Sequence, residues 1–310
     1  TASLDFEEGT YRFTAMLMSM WSHAEHGVAP DQMEPGIALE DQAHDHVLDF
    51  GMYSLRLQAE YVVLDGLALD LRLPVRAVDV SAHFHDEEGA EIANFESIHH
   101  RDEVLFGLGD PEISGVWRVL EPGATQPWHL QLSIGFTVPL GDTEPDPFVL
   151  GQSGDEHQHI FFGTGTFDPV IGGEARYEAS GWTGRFWARS RVSLYANAHG
   201  YMGPGVTQGG LGAMSPLGLS EFSFMAEVGA MHETPAKWGG EQAKNSGRTE
   251  FMVNLGASWF TSPNVVFSAM VKRPIYTIVL GGQMDIPLLA MLSVSYTEMA
   301  EDAPVGEPSQ

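Results

Sequence analysis

The chain has 310 residues, no cysteine, and 42 Asp and Glu against 15 Lys and Arg, for a formal net charge of −27. That balance excludes nucleic-acid phosphate as the main partner, because a phosphate grip is built from clustered cations. The lack of cysteine excludes a disulfide scaffold, a thiolate zinc site and a cysteine nucleophile.

The charged fraction is 18%, below the ~25% of an ordinary soluble domain. The chain opens on Thr1 rather than Met, as expected where a targeting peptide has been removed. No apolar run reaches the ~18 residues that a transmembrane helix needs. A barrel strand needs only ~10 alternating residues.

Alternation with a period of two runs along the whole chain. Twelve strands are expected, roughly over 10–22, 47–63, 66–82, 103–120, 129–141, 163–179, 184–197, 205–214, 219–232, 249–261, 264–280 and 284–297. On the first, Tyr11, Phe13, Ala15, Leu17, Ser19 and Trp21 share one face. Arg12, Thr14, Met16, Met18, Met20 and Ser22 share the other. A helix would place apolar residues three and four apart instead.

Short and long connections also alternate. The short ones lie at 64–66, 121–126, 180–184, 215–217 and 262–264. The long ones lie at about 23–46, 83–102, 142–162, 198–206 and 233–248, with a tight one near Gly281. This describes a single all-β domain over 1–297: a transmembrane antiparallel β-barrel of about 12 strands, with short periplasmic turns and long extracellular loops. Residues 298–310 are expected to form a loose acidic periplasmic tail.

A soluble β-sandwich would instead hide its apolar face and show a polar one to water. Here aromatics gather near strand ends, at Trp21, Tyr53, Tyr61, Trp117, Trp128, Phe186, Trp259, Tyr276 and Tyr296, as in interfacial girdles. Pro74, Pro111, Pro139, Pro169, Pro274 and Pro287 should each mark a bulge or a strand end. A bacterial outer membrane, with its lipid and lipopolysaccharide, is the expected location.

The punctuation between strands carries a resemblance. Phe106-Gly107-Leu108-Gly109-Asp110-Pro111 leads into one strand, and Phe136-Thr137-Val138-Pro139-Leu140-Gly141-Asp142 ends the next. Gly163-Thr164-Gly165-Thr166-Phe167-Asp168-Pro169 opens another, and Lys272-Arg273-Pro274-Ile275-Tyr276 precedes a last strand closing on Ser293-Val294-Ser295-Tyr296. Over roughly residues 100–297 this order resembles the outer-membrane barrels of the MetA-pathway-of-phenol-degradation family, relatives of fatty-acid and aromatic-hydrocarbon channels. The resemblance implies passage of small, often apolar solutes. It transfers no residue roles.

The inward faces are not uniform around the barrel. Strands two to seven carry Arg56, Glu60, Asp70, Arg72, Arg76, Asp110, Glu112, Arg118, Asp168, Glu174, Arg176, Arg189 and Arg191. These read as an Arg–carboxylate network propping a narrow lumen, or as a constriction that selects solutes by charge. The remaining strands point Met16, Met18, Met20, Met52, Met225, Met231, Met252, Met270 and Met291 inward. Three readings stay open for these: lumen packing, soft ligands for Cu(I), and a lining for an apolar solute.

Histidine is the third set. Of the 13, all but His129 fall in or beside the long loops. His44/His46, His83/His85 and His157/His159 are His-x-His pairs, with Asp45, Asp86, Asp155 and Glu156 alongside. In extended backbone such pairs share a face. With His23, His26, His99 and His100 they form a candidate copper or zinc site. The alternatives are ordinary polar loop residues, or a pH sensor.

Some twelve-strand outer-membrane barrels are lipases, but no Gly-x-Ser-x-Gly occurs and no phosphate loop is seated between strand and helix. An enzyme is not expected. The reading is a channel or receptor that captures a transition metal, copper first, at His23 and His26 and passes it along Met20, Met18 and Met16. The alternatives are a passive channel for hydrophobic or aromatic molecules, and a plugged barrel that anchors an extracellular or periplasmic protein partner.

Overall fold

A computed structural model describes residues 7–28, 44–86, 88–92, 101–121, 126–216, 221–243, 246–279 and 286–299. The alternating segments become long antiparallel strands: β1 (Tyr11–Val28), β2 (His44–Leu64), β3 (Leu67–Asp86), β4 (Glu103–Leu108), β5 (Glu112–Leu120) and β6 (Trp128–Thr137). A short helix, α1 (Pro147–Ser153), precedes β7 (Pro169–Ala179), β8 (Trp182–Arg191), β9 (Tyr201–Met202) and β10 (Val206–Pro216). Then follow β11 (Phe222–Glu233), β12 (Lys237–Trp238), β13 (Glu241–Gln242), β14 (Arg248–Phe260), β15 (Val265–Val279) and β16 (Leu289–Glu298).

The sheet closes on itself, because β1 pairs with β16 on one side and with β2 on the other. Every wall pairing is antiparallel and, apart from the closing β1–β16 pair, joins neighbouring wall strands in chain order. β4 and β5 are two halves of one wall strand, since both pair with β3. The barrel is therefore twelve-stranded, as its periodicity predicts. β9, β12 and β13 form a small separate sheet in the long loops.

Alternation decides which side chain meets lipid. Phe13, Leu17 and Trp21 on β1, Leu55 and Leu57 on β2, and Leu132 and Ile134 on β6 are all exposed. In water such a belt would be an aggregation surface; around a closed barrel it is the lipid-facing band. The nine girdle aromatics named above are all exposed too. Several meet across strands, among them Trp21 with Tyr53 and Trp128 with Tyr177. The exposed apolar belt, its girdles and the turn asymmetry together define an outer-membrane barrel.

The prolines sit where a ladder can spare an N–H. Pro169 starts β7, and Pro111 and Pro139 lie just outside strands. Pro274 lies beside a register shift between β14 and β15. Pro74 is inside β3, and the wall strand beside it is broken at Gly109–Pro111. This break corrects the expectation of one strand over 103–120. Gly109 donates its N–H to the Pro74 carbonyl at 2.9 Å, but neither proline can donate a ladder bond.

Two other expected strand ends are irregular. Residues 163–168 and 192–197 alternate like strands but lie outside β7 and β8. Their inward polar side chains bond to one another instead. Thr166 donates to Asp168 at 2.7 Å, Ser193 donates to the other oxygen of Asp168 at 3.1 Å, and Thr164 donates to Asp110 at 2.8 Å. The 138–168 segment thereby folds against the inner wall. Its two arms cross at Gly141 and Gly163, where a Cβ on Gly163 would stand 2.3 Å from the Gly141 carbonyl oxygen.

Candidate functional site

The lumen has two unlike walls. The first spans β1 to β8, and many of its inward side chains are tied together in ion pairs. Arg12 bonds Glu60 at 2.6 and 2.7 Å. Arg72 holds Asp70 at 2.6 Å and reaches Glu112, which also takes Arg189. Glu174 takes Arg176 and Arg185.

Glu227 on β11 is a hub at the edge of this wall. It accepts from Arg185 at 3.1 Å, the Trp187 indole at 2.8 Å and the Asn254 amide at 2.7 Å. Its side chain is only 3% exposed, and a buried carboxylate persists only with such a full set of donors. A Cβ on Gly210 would stand 2.7 Å from this carboxyl group, so the glycine makes room for it.

The expected ionic set thus faces inward, but not all of it pairs. Asp110 accepts from the Gly141 and Thr164 backbone N–H groups at 2.9 and 2.7 Å. Asp168 is held by Thr166 and Ser193. Both anchor the inward-folded loop, and Asp110 also lies within electrostatic range of Arg76. Arg118 bonds Glu121 at the short-turn end. Arg76 reaches only the Phe162 carbonyl, at 3.3 Å. Arg12, Arg185 and Glu227 belong to the network but were absent from the expected set. Parity alone places all three inward: Arg12 and Glu227 lie outside strands two to seven, and Arg185 shares the face of Arg189 and Arg191 on its strand.

The second wall spans β10, β11, β14, β15, β16 and β1. Register sets its methionines in one row around the barrel: Met18 opposite Met291, Met291 opposite Met270, Met270 opposite Gly256, Gly256 opposite Met225, and Met225 opposite Met214. The next inward row toward the short turns is serine: Ser293 opposite Ser268, Ser268 opposite Ser258, and Ser258 opposite Ser223. Ser258 and Ser268 share a hydrogen bond of 2.8 Å. Thioethers are flexible and serines small, so these rows leave space.

A cavity of about 120 Å³ opens there, lined by Met16, Met225, Met270, Met291 and Met214 with the serine row below. Met214 was not expected, because the glycines of β10 obscure its alternation. Met20 pairs in register with Met52, and Met52 packs on the apolar cluster of Leu48, Phe50, Val78 and Val80. Ile160 and Phe162 of the inward-folded loop cover the same cluster. The loop therefore fills the mouth on the β2–β4 side. Met231 and Met252 lie on the inward register nearer the long loops.

The described histidine side chains do not assemble in the same way. His23 lies on the outward parity of β1, opposite Met16, Met18 and Met20, and its exposed ring meets Asp49 at 2.8 Å. The expected path from His23 into the methionine ladder is therefore broken by strand parity. His83 reaches Glu91 at 4.0 Å, and His85 sits in register with Asp45.

His157 and His159 have rings 5.0 Å apart, but His157 Nδ1 bonds the Asp155 carbonyl and His159 packs on Phe148. For His26, His44 and His46 only the backbone is described, with His26 opposite His46. His99 and His100 lie outside the described residues. Among the described residues no three His, Asp or Glu side chains converge as a metal would need. Nothing in the described part of the expected set supports a copper or zinc site.

Above the mouth, Phe161, Tyr201 and Trp238 form an aromatic cluster, with Tyr201 and Trp238 rings 4.7 Å apart. Both are buried. Burial pushes the Tyr201 phenol up to about 12.

No family model matches the sequence, and no curated protein matches it. Solved structures do match. The CymD monoaromatic hydrocarbon channel aligns at 11% identity and TM-score 0.41, covering 96% of this chain and 90% of that one. The Pseudomonas putida toluene transporter TodX aligns at 7% identity and TM-score 0.42, covering 95% and 91%. An outer membrane channel from Pseudomonas putida F1 aligns at 13% identity and TM-score 0.63, covering 96% of this chain and 100% of that one. The last similarity gives the chain the fold of an outer-membrane channel barrel over its whole length.

Proposed function

We propose that this barrel is a passive conduit in the outer membrane for small apolar and aromatic molecules. The observation that carries the reading is the methionine- and serine-lined cavity on one wall of a lumen whose other wall is charged. An engineered apolar cavity of roughly 150 Å³ holds benzene, so about 120 Å³ suits a single small ring. Thioethers adapt to such rings and make favourable sulfur–aromatic contacts. The opposite wall, tied through Glu112, Glu174 and Glu227, offers a hydrocarbon nothing in exchange for desolvating its charges.

The test is uptake of benzene by intact Gram-negative cells, whose lipopolysaccharide leaflet resists apolar solutes. Cells carrying the barrel should take it up several-fold faster than cells without it. Met225→Asp with Met270→Asp should return the rate to background. Equal rates with and without the intact barrel would remove the proposal.

A further inference from the structure

The lumen carries cations that its own carboxylates do not satisfy. Arg56, Arg191 and Lys272 have no carboxylate within ion-pair distance among the described residues, and Arg76 bonds only a carbonyl. This surplus stands inside a chain whose net charge is −27. The nearby carboxylates are committed elsewhere: Glu112 to Arg72 and Arg189, Glu227 to Arg185, and Asp110 to loop N–H groups. Enclosed cations without counter-ions are costly, and an anion entering from outside would relieve that cost.

Two of these cations flank the methionine-lined cavity. Arg56 is the register partner of Met16, which lines it. Lys272 is the next inward residue along β15 from Met270, which also lines it. Arg56 and Lys272 lie within electrostatic range of one another across the lumen. Around Arg56 the other charged neighbours are Arg72, Arg76, Arg189 and Glu112. Around Lys272 they are Glu227 and Arg185. Cations outnumber carboxylates at both.

We propose that the preferred solute is a small amphipathic carboxylate, with its apolar body on Met16, Met225, Met270 and Met291 and its carboxylate against Arg56 and Lys272. A guanidinium offers a planar fork that fits a carboxylate, and a lysine adds a point charge. This rests on the conduit reading above and names the solute class for the same cavity.

The test compares benzoate with benzyl alcohol, which keeps the ring and loses the charge. Both are titrated calorimetrically into the purified barrel in detergent at neutral pH. Benzoate should bind about tenfold tighter or better than the alcohol, as a charge-assisted pair allows. Arg56→Gln with Lys272→Gln should bring benzoate down to the affinity of the alcohol and leave the alcohol unchanged.

Equal affinities in the unaltered barrel would overturn this inference while leaving the apolar conduit standing. An unchanged benzoate preference in the double variant would overturn the assignment to these two residues. Absence of binding by either compound would overturn the conduit reading as well. The comparison in the unaltered barrel is decisive even where the double variant fails to fold.

Discussion

The two walls of this lumen solve the same packing problem in opposite ways. From β1 to β8 most long charged side chains meet a partner and fill the interior, as Arg12 with Glu60 and Arg72 with Asp70 show. From β10 round to β1 two inward rows are methionine and serine, and a cavity remains. An ion pair must be closed to be stable in a low-dielectric interior. A thioether need not be. Rigidity is therefore concentrated on one wall and adaptable space on the other.

The comparison breaks most visibly at Glu227, where the ionic wall is hinged to β11. Glu227→Ala leaves Arg185, Trp187 and Asn254 without their shared acceptor. It should cost roughly 3–5 kcal/mol, read as a lowered urea midpoint in detergent or lipid. A shift as small as that of an exposed substitution would show that the hub is not structural.

Asp110→Ala comes next. It removes the acceptor of Gly141 and Thr164, each charge-assisted bond being worth about 1.5–3 kcal/mol. The inward-folded loop should loosen, with larger single-channel conductance and faster proteolysis in 138–168.

The loop cluster titrates. Tyr201 is held up at about 12 by burial, against about 10 for a free tyrosine. The folded cluster keeps a proton that the opened loop loses. Its stability is full below pH ~10 and falls by up to roughly 2–3 kcal/mol as pH rises through that window. Tryptophan fluorescence from pH 8 to 12 should report the opening through Trp238, and Tyr201→Phe should abolish this pH dependence.

The smallest effect belongs to His23→Ala. Its pair with Asp49 is exposed and faces away from the lumen, so stability should change by under ~0.5 kcal/mol. Solute uptake should not change at all.

Much of this architecture is legible in the sequence, because side-chain period and barrel geometry are the same fact. Parity alone predicts that Met16, Met18 and Met20 face inward and that Phe13, Leu17 and Trp21 meet lipid. The break at Gly109–Pro111 is not legible, because Glu103–Leu108 and Glu112–Leu120 each alternate correctly on either side of it. Thr164, Thr166 and Asp168 also alternate, yet their hydroxyl and carboxylate groups bond one another in place of a ladder. Clustering of histidines along the chain does not by itself give convergence: His23 turns outward while His157 and His159 bond and pack within their own loop. The serine row emerges only from cross-strand register, since its members come from four separate strands.

The central claim, that solute passes along the methionine wall, is open to one direct measurement. The chain has no cysteine, so Met270→Cys or Met225→Cys gives the barrel one thiol. Benzene uptake by intact cells is followed before and after a bulky thiol reagent, with Ser114→Cys on the ionic wall as the control. Modification at Met270 or Met225 should abolish barrel-dependent uptake, while modification at Ser114 should leave most of it. Uptake that survives a modified methionine wall, or that is lost only at Ser114, would contradict the account.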